Sequence, residues 1–269
     1  MWKLGIRYEV LPGDGVMARF EEAKRYGFDA VELPGRYFPE YLDELKSLKD
    51  QLPLPVSSIS LGFRGSLISS DAQVRRQCFE DTKGLFVLCE ELGAVGVVMP
   101  PILHMDAHPR ISNAPNDEAR VAMEDELLLD QLSGLAAGAH DHGVALLLEA
   151  VNPKETDYMA TVGHAVSICE QINHPGLAVI VDFFHMQWED QPADALIRRA
   201  GNCLKHVHVA EDSRVEPGPG ALDFRPGFAA MKEIGYQGHV VIECRTLSGN
   251  GEEVLPASVR YLRELMTNC

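Results

Sequence analysis

The chain contains no C-x-x-C pair, no surplus of Lys and Arg, no apolar run of membrane length and no G-x-G-x-x-G turn. Each absence removes a class. Its six cysteines, at 78, 89, 169, 203, 244 and 269, never pair at metal-knuckle or redox-motif spacing. They read as reduced, mostly buried thiols of a cytoplasmic protein. Lys and Arg total 24 against 40 Asp and Glu, a net charge of -16. Nucleic-acid binding relies on Lys and Arg neutralising phosphates, so a DNA or RNA partner is not expected. Without a stretch of roughly 20 apolar residues, a membrane span is not expected either. The opening MWKLGIRYEV lacks a basic segment followed by an apolar one, so no secretory leader is read there. Gly13-Asp14-Gly15 follows the first β-run but has no third glycine, so it reads as a turn and not as a dinucleotide site. No low-complexity stretch, Pro/Ser linker or charge block divides the chain, and residues 1–269 are expected to form a single domain.

What the sequence does contain is a repeated unit: an amphipathic stretch, a Gly or Pro turn, then a short β-branched run. Seven such runs read clearly: KLGIRY (3–8), FDAVEL (28–33), PVSSISL (55–61), AVGVVM (94–99), VALLLE (144–149), LAVIVD (177–182) and HVVIEC (239–244). LKHVHVA (204–210) keeps the same alternation despite two histidines. Between the runs lie helical patterns. VMARFEEAKRYGF closes at Gly27, and two further patterns, starting at Val74 and Glu124, end at Gly93 and Gly143. Glycine just past a helix suits the left-handed position that other residues avoid. Alternating strands and helices predict a parallel sheet. Eight strands predict an α/β fold of the closed (β/α)8, or TIM-barrel, type.

In such barrels the chemistry sits at the C-terminal ends of the strands. The second half of the chain places ionisable residues there on four successive runs: Glu149, Asp182 with His185 just beyond, His208 with Arg214 in the following loop, and Glu243. An acidic residue closing an apolar β-run is costly to bury unless paired or bound to a metal. One could be an ion pair; four at one rim point to a site. Three carboxylates and one imidazole make a hard, oxygen-rich donor set. It suits Mn²⁺, Mg²⁺ or Co²⁺, with Zn²⁺ also compatible. Elsewhere the residues leave alternatives open. Glu32, Arg7 and Arg64 read as substrate contacts or as structural ion pairs, and His104 and His108 as substrate-facing or solvated. His206 reads as a buried, hydrogen-bonded residue one layer below His208.

The motifs LLLEAVNP, D-x-x-H at Asp182–His185, HVHVAEDSR, PGPGALDF (217–224) and VVIECR resemble the sugar phosphate isomerase/epimerase superfamily, whose barrel is xylose-isomerase-like. The resemblance is to its D-tagatose 3-epimerase, hydroxypyruvate isomerase and inosose dehydratase group. It implies that Glu149, Asp182, His208 and Glu243 hold one divalent ion, Mn²⁺ foremost. By the same resemblance His185 and Arg214 contact substrate oxygens, and Glu155 lies near the substrate or orients His185. The implied activity is isomerisation or epimerisation of a ketose, keto-polyol or small hydroxyketo acid through an enediolate, with Glu149 and Glu243 as the catalytic carboxylates. A dehydratase or lyase on a related keto-sugar uses the same machinery. An AP endonuclease IV-like nuclease would need further metal ligands that strands three and four do not offer, and a non-catalytic sugar-binding barrel would not need all of these residues. The implied assembly is a homodimer or homotetramer, and the implied partner is a small carbohydrate.

Overall fold

The structure, a computed structural model, describes residues 2–35, 41–102 and 108–269. His104 lies outside the described residues. The described residues form eight strands: β1 (Lys3–Arg7), β2 (Ala30–Pro34), β3 (Val56–Ser60), β4 (Gly96–Met99), β5 (Ala145–Glu149), β6 (Leu177–Asp182), β7 (Leu204–Val209) and β8 (His239–Ile242). They pair in chain order, all parallel, and β8 closes on β1 through the register Lys3↔His239 to Ile6↔Ile242. The expected TIM barrel is what the chain forms.

The helices lie outside. They include α1 (Gly15–Tyr26), α2 (Leu42–Leu48), α3 (Ala72–Leu92), α4 (Asp117–Asp141), α5 (Val162–Ile172) and a single turn, α6 (Phe183–Met186). After these come α7 (Ala193–Ala200), α8 (Arg225–Glu233) and α9 (Gly251–Asn268). Two differences from the sequence reading have plain causes. Helix α4 begins at Asp117 and not near Glu124, because the Asn116 side chain accepts from the Ala119 amide and caps it there. Strand β8 stops at Ile242, yet the Glu243 amide still donates to the Val209 carbonyl at 3.0 Å, so Glu243 is held by the ladder.

Side chains alternate along each strand. One set, including Leu146, Leu148, Val179 and Val181, joins the layer packed against the helices. The other points into the barrel. There Val98, Ala145, Leu147, Ala178 and Ile180 form a separate apolar cluster. On the same inward register, at the next step toward the C-terminal rim, stand Glu149 and Asp182.

Candidate metal centre

Each rim residue is placed by its strand end. Glu149 closes β5 and Asp182 closes β6. One oxygen of Asp182, Oδ1, accepts from the Phe184 amide at 2.7 Å and starts α6. That turn brings His185 back over the rim, its Nε2 3.6 Å from Asp182 Oδ2. His208 lies on β7, with Nδ1 3.5 Å from Glu149 Oε1 and 3.6 Å from Glu243 Oε2. Ligand-type atoms of Glu149, Asp182, His185 and Glu243 all lie within 4.8 Å of one another. The cluster thus contains three residues of the expected ligand set, with His185 in the fourth place; His208 reaches Glu149 and Glu243 from the side but groups with Glu32 and His206.

The buried atoms here test whether a cation fits. Glu149 Oε1, Asp182 Oδ2 and His208 Nδ1 are sealed from solvent and have no hydrogen-bond partner among the described residues. Buried polar atoms are nearly always satisfied, and unsatisfied ones call for an explanation such as an ion. Two carboxylate oxygens and an imidazole nitrogen, orphaned at one rim, are donors that a hard divalent cation accepts.

The electrostatics agree. Burial raises Asp182 to about 6, with Glu243 and Glu149 adding to the rise against His185 and His208. Burial also works against ionised Glu243, but His208, Arg7, Arg214 and His185 outweigh it and hold this carboxyl at about 2. Burial disfavours a charged His208, yet Glu32, Glu243 and Glu149 carry it well above the usual histidine range. Any divalent ion held by this imidazole would have to displace a proton, because ligands must be deprotonated to bind.

Below the rim is a second polar layer. Glu32 is wholly buried. Its Oε2 accepts from Ser58 Oγ at 2.6 Å and lies 3.0 Å from His208 Nε2 and 3.1 Å from His206 Nε2. Burial pushes Glu32 up, but His208 and His206 bring it well below the usual carboxylate range. Glu32 is thus sealed beneath the rim, bound to the two histidines, and His206 has the buried, hydrogen-bonded place expected of it.

Arginines close the upper side. Arg214 Nη1 donates to Glu155 Oε1 at 2.8 Å and Nη2 to Glu243 Oε2 at 3.1 Å, while its guanidinium stacks on Phe184 at 4.6 Å. Its backbone is left-handed, with φ of +59°, which for a non-glycine residue costs about 1–3 kcal/mol. The buried Glu211 carboxylate holds this loop by accepting from the Gly218 and Leu222 amides, inside the PGPGALDF stretch. Arg7 pairs with Glu243 and Glu9, and Arg245 donates to Glu155 at 3.0 Å. Arg7, Arg214, Glu243 and Arg245 line a cavity of about 270 Å³.

Glu155 does not bond His185 directly. Asn152 stands between, with Nδ2 3.2 Å from Glu155 Oε1 and 2.7 Å from His185 Nδ1. Arg64 is elsewhere, exposed and paired with Asp81. His108 lines a small cleft with Phe63 and Pro101, between the loops after β3 and β4. Asn152 and Arg245 escaped the sequence reading as individual residues. Their only signal was proximity, three residues after Glu149 and two after Glu243.

Residues 20–265 match the model of the xylose isomerase-like TIM barrel family. The chain belongs to this family. Over 265 residues it is 25% identical to the 3-dehydro-D-guloside 4-epimerase of Escherichia coli, spanning 97% of this chain and 99% of that one. It is 29% identical to the D-psicose 3-epimerase of Agrobacterium fabrum over 231 residues, 83% of this chain and 77% of the relative. Among solved structures, the apo 3-keto-D-glucoside 4-epimerase of E. coli superposes with a TM-score of 0.86 at 23% identity, covering 98% of this chain and all of that one. The D-psicose 3-epimerase of Clostridium cellulolyticum with D-tagatose gives 0.84 at 22%, covering 98% and 99%. At these identities the structural likeness speaks for the fold. Among the described residues no helix is long and apolar enough to cross a membrane.

Proposed function

We propose that this chain is a divalent-metal-dependent sugar epimerase or isomerase, one barrel domain over residues 1–269, acting on a ketose or keto-glycoside through an enediolate. The observation that carries the reading is the pair Glu149 and Glu243. They stand at the end of β5 and just past the end of β8, in one cluster where several buried donor atoms lack partners. Relatives that are keto-sugar 3- and 4-epimerases over most of the chain support it.

Glu149, Asp182, His208 and Glu243 would hold the ion, with Mn²⁺ the first choice for such an oxygen-rich set. Bound there, a divalent cation supplies Lewis acidity toward adjacent oxygens of an α-hydroxycarbonyl. The chain's own groups do the rest. One of Glu149 and Glu243 takes the proton from the carbon beside the carbonyl. For epimerisation the other returns a proton to the opposite face; for isomerisation one goes to the neighbouring carbon. Two carboxylates flanking a planar intermediate are the minimum for inverting a carbon. Arg214 and His185 donate to the oxygen on which negative charge develops, where pre-aimed donors act most strongly. Arg7 and Arg214 keep Glu243 in place between them. The six free thiols suit a cytoplasmic protein.

Elemental analysis of protein purified without chelator tests the site, and Glu243→Gln tests the chemistry. A stoichiometric divalent ion is expected in the wild type. The variant should lose turnover by about 10²–10⁴-fold, the range of a lost acid–base group, when ketoses and keto-glycosides are screened for inversion at C3 and C4. Full activity in Glu243→Gln, or a wild type that takes up no added divalent ion, would sink the proposal.

A further inference from the structure

Two histidines face the cluster, and their partners on the far side differ in chemistry. We propose that Glu32 and Asn152 set these two imidazoles in opposite tautomers, so that His208 presents a lone pair to the site and His185 presents a proton. The inference rests on the metal-site reading above, to which it adds two positioning residues.

For His208, the far-side partner is a carboxylate. Glu32 Oε2 lies 3.0 Å from His208 Nε2. An ionised carboxylate only accepts, so the proton shared between them belongs to Nε2. The same oxygen takes Ser58 Oγ and His206 Nε2, which fixes it from two more sides. Nδ1 is then the nitrogen turned toward Glu149 and Glu243, with no hydrogen-bond partner there, and the one a cation would meet. A buried carboxylate behind a histidine that fixes its tautomer and orientation is the usual support of a metal-binding imidazole.

For His185, the far-side partners are donors. The Asn152 backbone amide donates to Nδ1 at 3.2 Å, and a peptide N–H has no other role. The Asn152 side chain adds Nδ2 at 2.7 Å from the same nitrogen. That amide cannot be turned over, since its Oδ1 accepts from the Lys154 amide at 3.0 Å and its Nδ2 also faces the acceptor Glu155. With two donors converging on Nδ1, the ring proton sits on Nε2, the nitrogen 3.6 Å from Asp182 Oδ2. A contact in the opposite sense exists, Arg214 Nη2 at 3.5 Å from His185 Nε2. At that limiting length it is outweighed by the two shorter bonds on Nδ1. His185 is near enough to the carboxylates to pass for a ligand, but it has no lone pair to give the ion. It is a donor to a substrate oxygen, placed by Asn152.

Two measurements test this. Mn²⁺ affinity by calorimetry should fall about 10–100-fold in Glu32→Gln, as for lost support of a ligand, and collapse in His208→Ala, while His185→Ala leaves it unchanged. Ring ¹⁵N shifts of metal-free protein should show His185 protonated at Nε2, with the proton drawn to Nδ1 in Asn152→Asp. If Glu32→Gln does not fold, Zn²⁺-loaded wild type replaces it, and there His208 must keep its Nε2 proton. An unchanged affinity in Glu32→Gln, a His208 that loses that proton, a His185→Ala loss equal to that of His208→Ala, or a wild-type His185 protonated at Nδ1 would each overturn the assignment. Failure of wild type to bind Mn²⁺ at all would instead overturn the metal reading, and the His185 tautomer would still be read from the metal-free spectrum.

Discussion

The inside of the barrel is two different materials. Under β4, β5 and β6 it is aliphatic: Val98, Ala145, Leu147, Ala178 and Ile180 form one buried apolar cluster. Under β1, β2, β3 and β7 it is a polar lattice: Arg7, Glu32, Ser58, Ser60, His206 and His208, joined by hydrogen bonds and ion pairs. Both carry part of the rim of proposed ligands, but they hold it differently. On the apolar side Glu149 and Asp182 rest on packed methyl groups, which fix a strand without reaching a carboxylate oxygen, and the directed hold there is the Phe184 amide on Asp182 Oδ1. On the polar side His208 and Glu243 are gripped by directed partners, Glu32 and Arg7. Packing sets where a strand end is; hydrogen bonds set which atom of the side chain faces the cation. A site with three orphaned atoms needs both.

The largest effect should come from the apolar side and should be one of stability. Leu147→Ala removes a wholly buried side chain from the small cluster, which costs about 2–5 kcal/mol for such a truncation. Denaturant unfolding would measure it. Mn²⁺ affinity of the folded variant should stay close to wild type. Weaker binding there than in Glu32→Gln would erase the distinction between the two halves.

A smaller and mixed effect belongs to the polar side. Ser58→Ala takes one donor from Glu32 while leaving His206 and His208 on the same oxygen. Loss of a buried hydrogen bond to a charged group costs about 1–3 kcal/mol. Here, unlike Leu147→Ala, metal affinity should fall as well, though by less than in Glu32→Gln, because one of the holds on the carboxylate is gone. An Mn²⁺ titration that shows stability loss with no loss of affinity would mean that Ser58 packs the barrel and does not tune it.

The same contrast explains what could be read beforehand. Glu149, Asp182 and Glu243 stand out in sequence because each interrupts an aliphatic run at the point where a strand must end. His208 stands out by alternation within LKHVHVA. Their meeting at one rim follows from barrel closure, a consequence of strand count. The supports are harder to see. Glu32 sits inside FDAVEL with the parity of an inward residue, but nothing local says that its oxygen lies under a histidine 176 positions away. Asn152 acts through a backbone amide, which every residue except proline has, and through an orientation set by Lys154 and Glu155. Arg7 read as a substrate contact or, more readily, as an ion pair, and its pairing with Glu243 depends on β8 returning to β1, a contact between opposite ends of the chain.

Arg64 gives the sharpest control, with the smallest effect expected. As a cation just beyond β3 it reads in sequence much like Arg7 just at the end of β1. The difference is burial. The Arg7 side chain is mostly enclosed and faces Glu243, whereas that of Arg64 is 75% exposed and takes Asp81 in a two-pronged pair, Nε and Nη2 each at 2.9 Å. Exposed pairs are screened and often contribute nothing measurable, even with good geometry. Arg64→Ala should therefore leave turnover, Mn²⁺ affinity and the unfolding midpoint indistinguishable from wild type. Arg7→Ala, by contrast, frees one side of a proposed catalytic carboxylate and should lower turnover. A loss of turnover in Arg64→Ala would mean that the loop after β3 reaches the substrate. The polar half of the barrel would then extend past its rim on the side of β3, not end at Ser60.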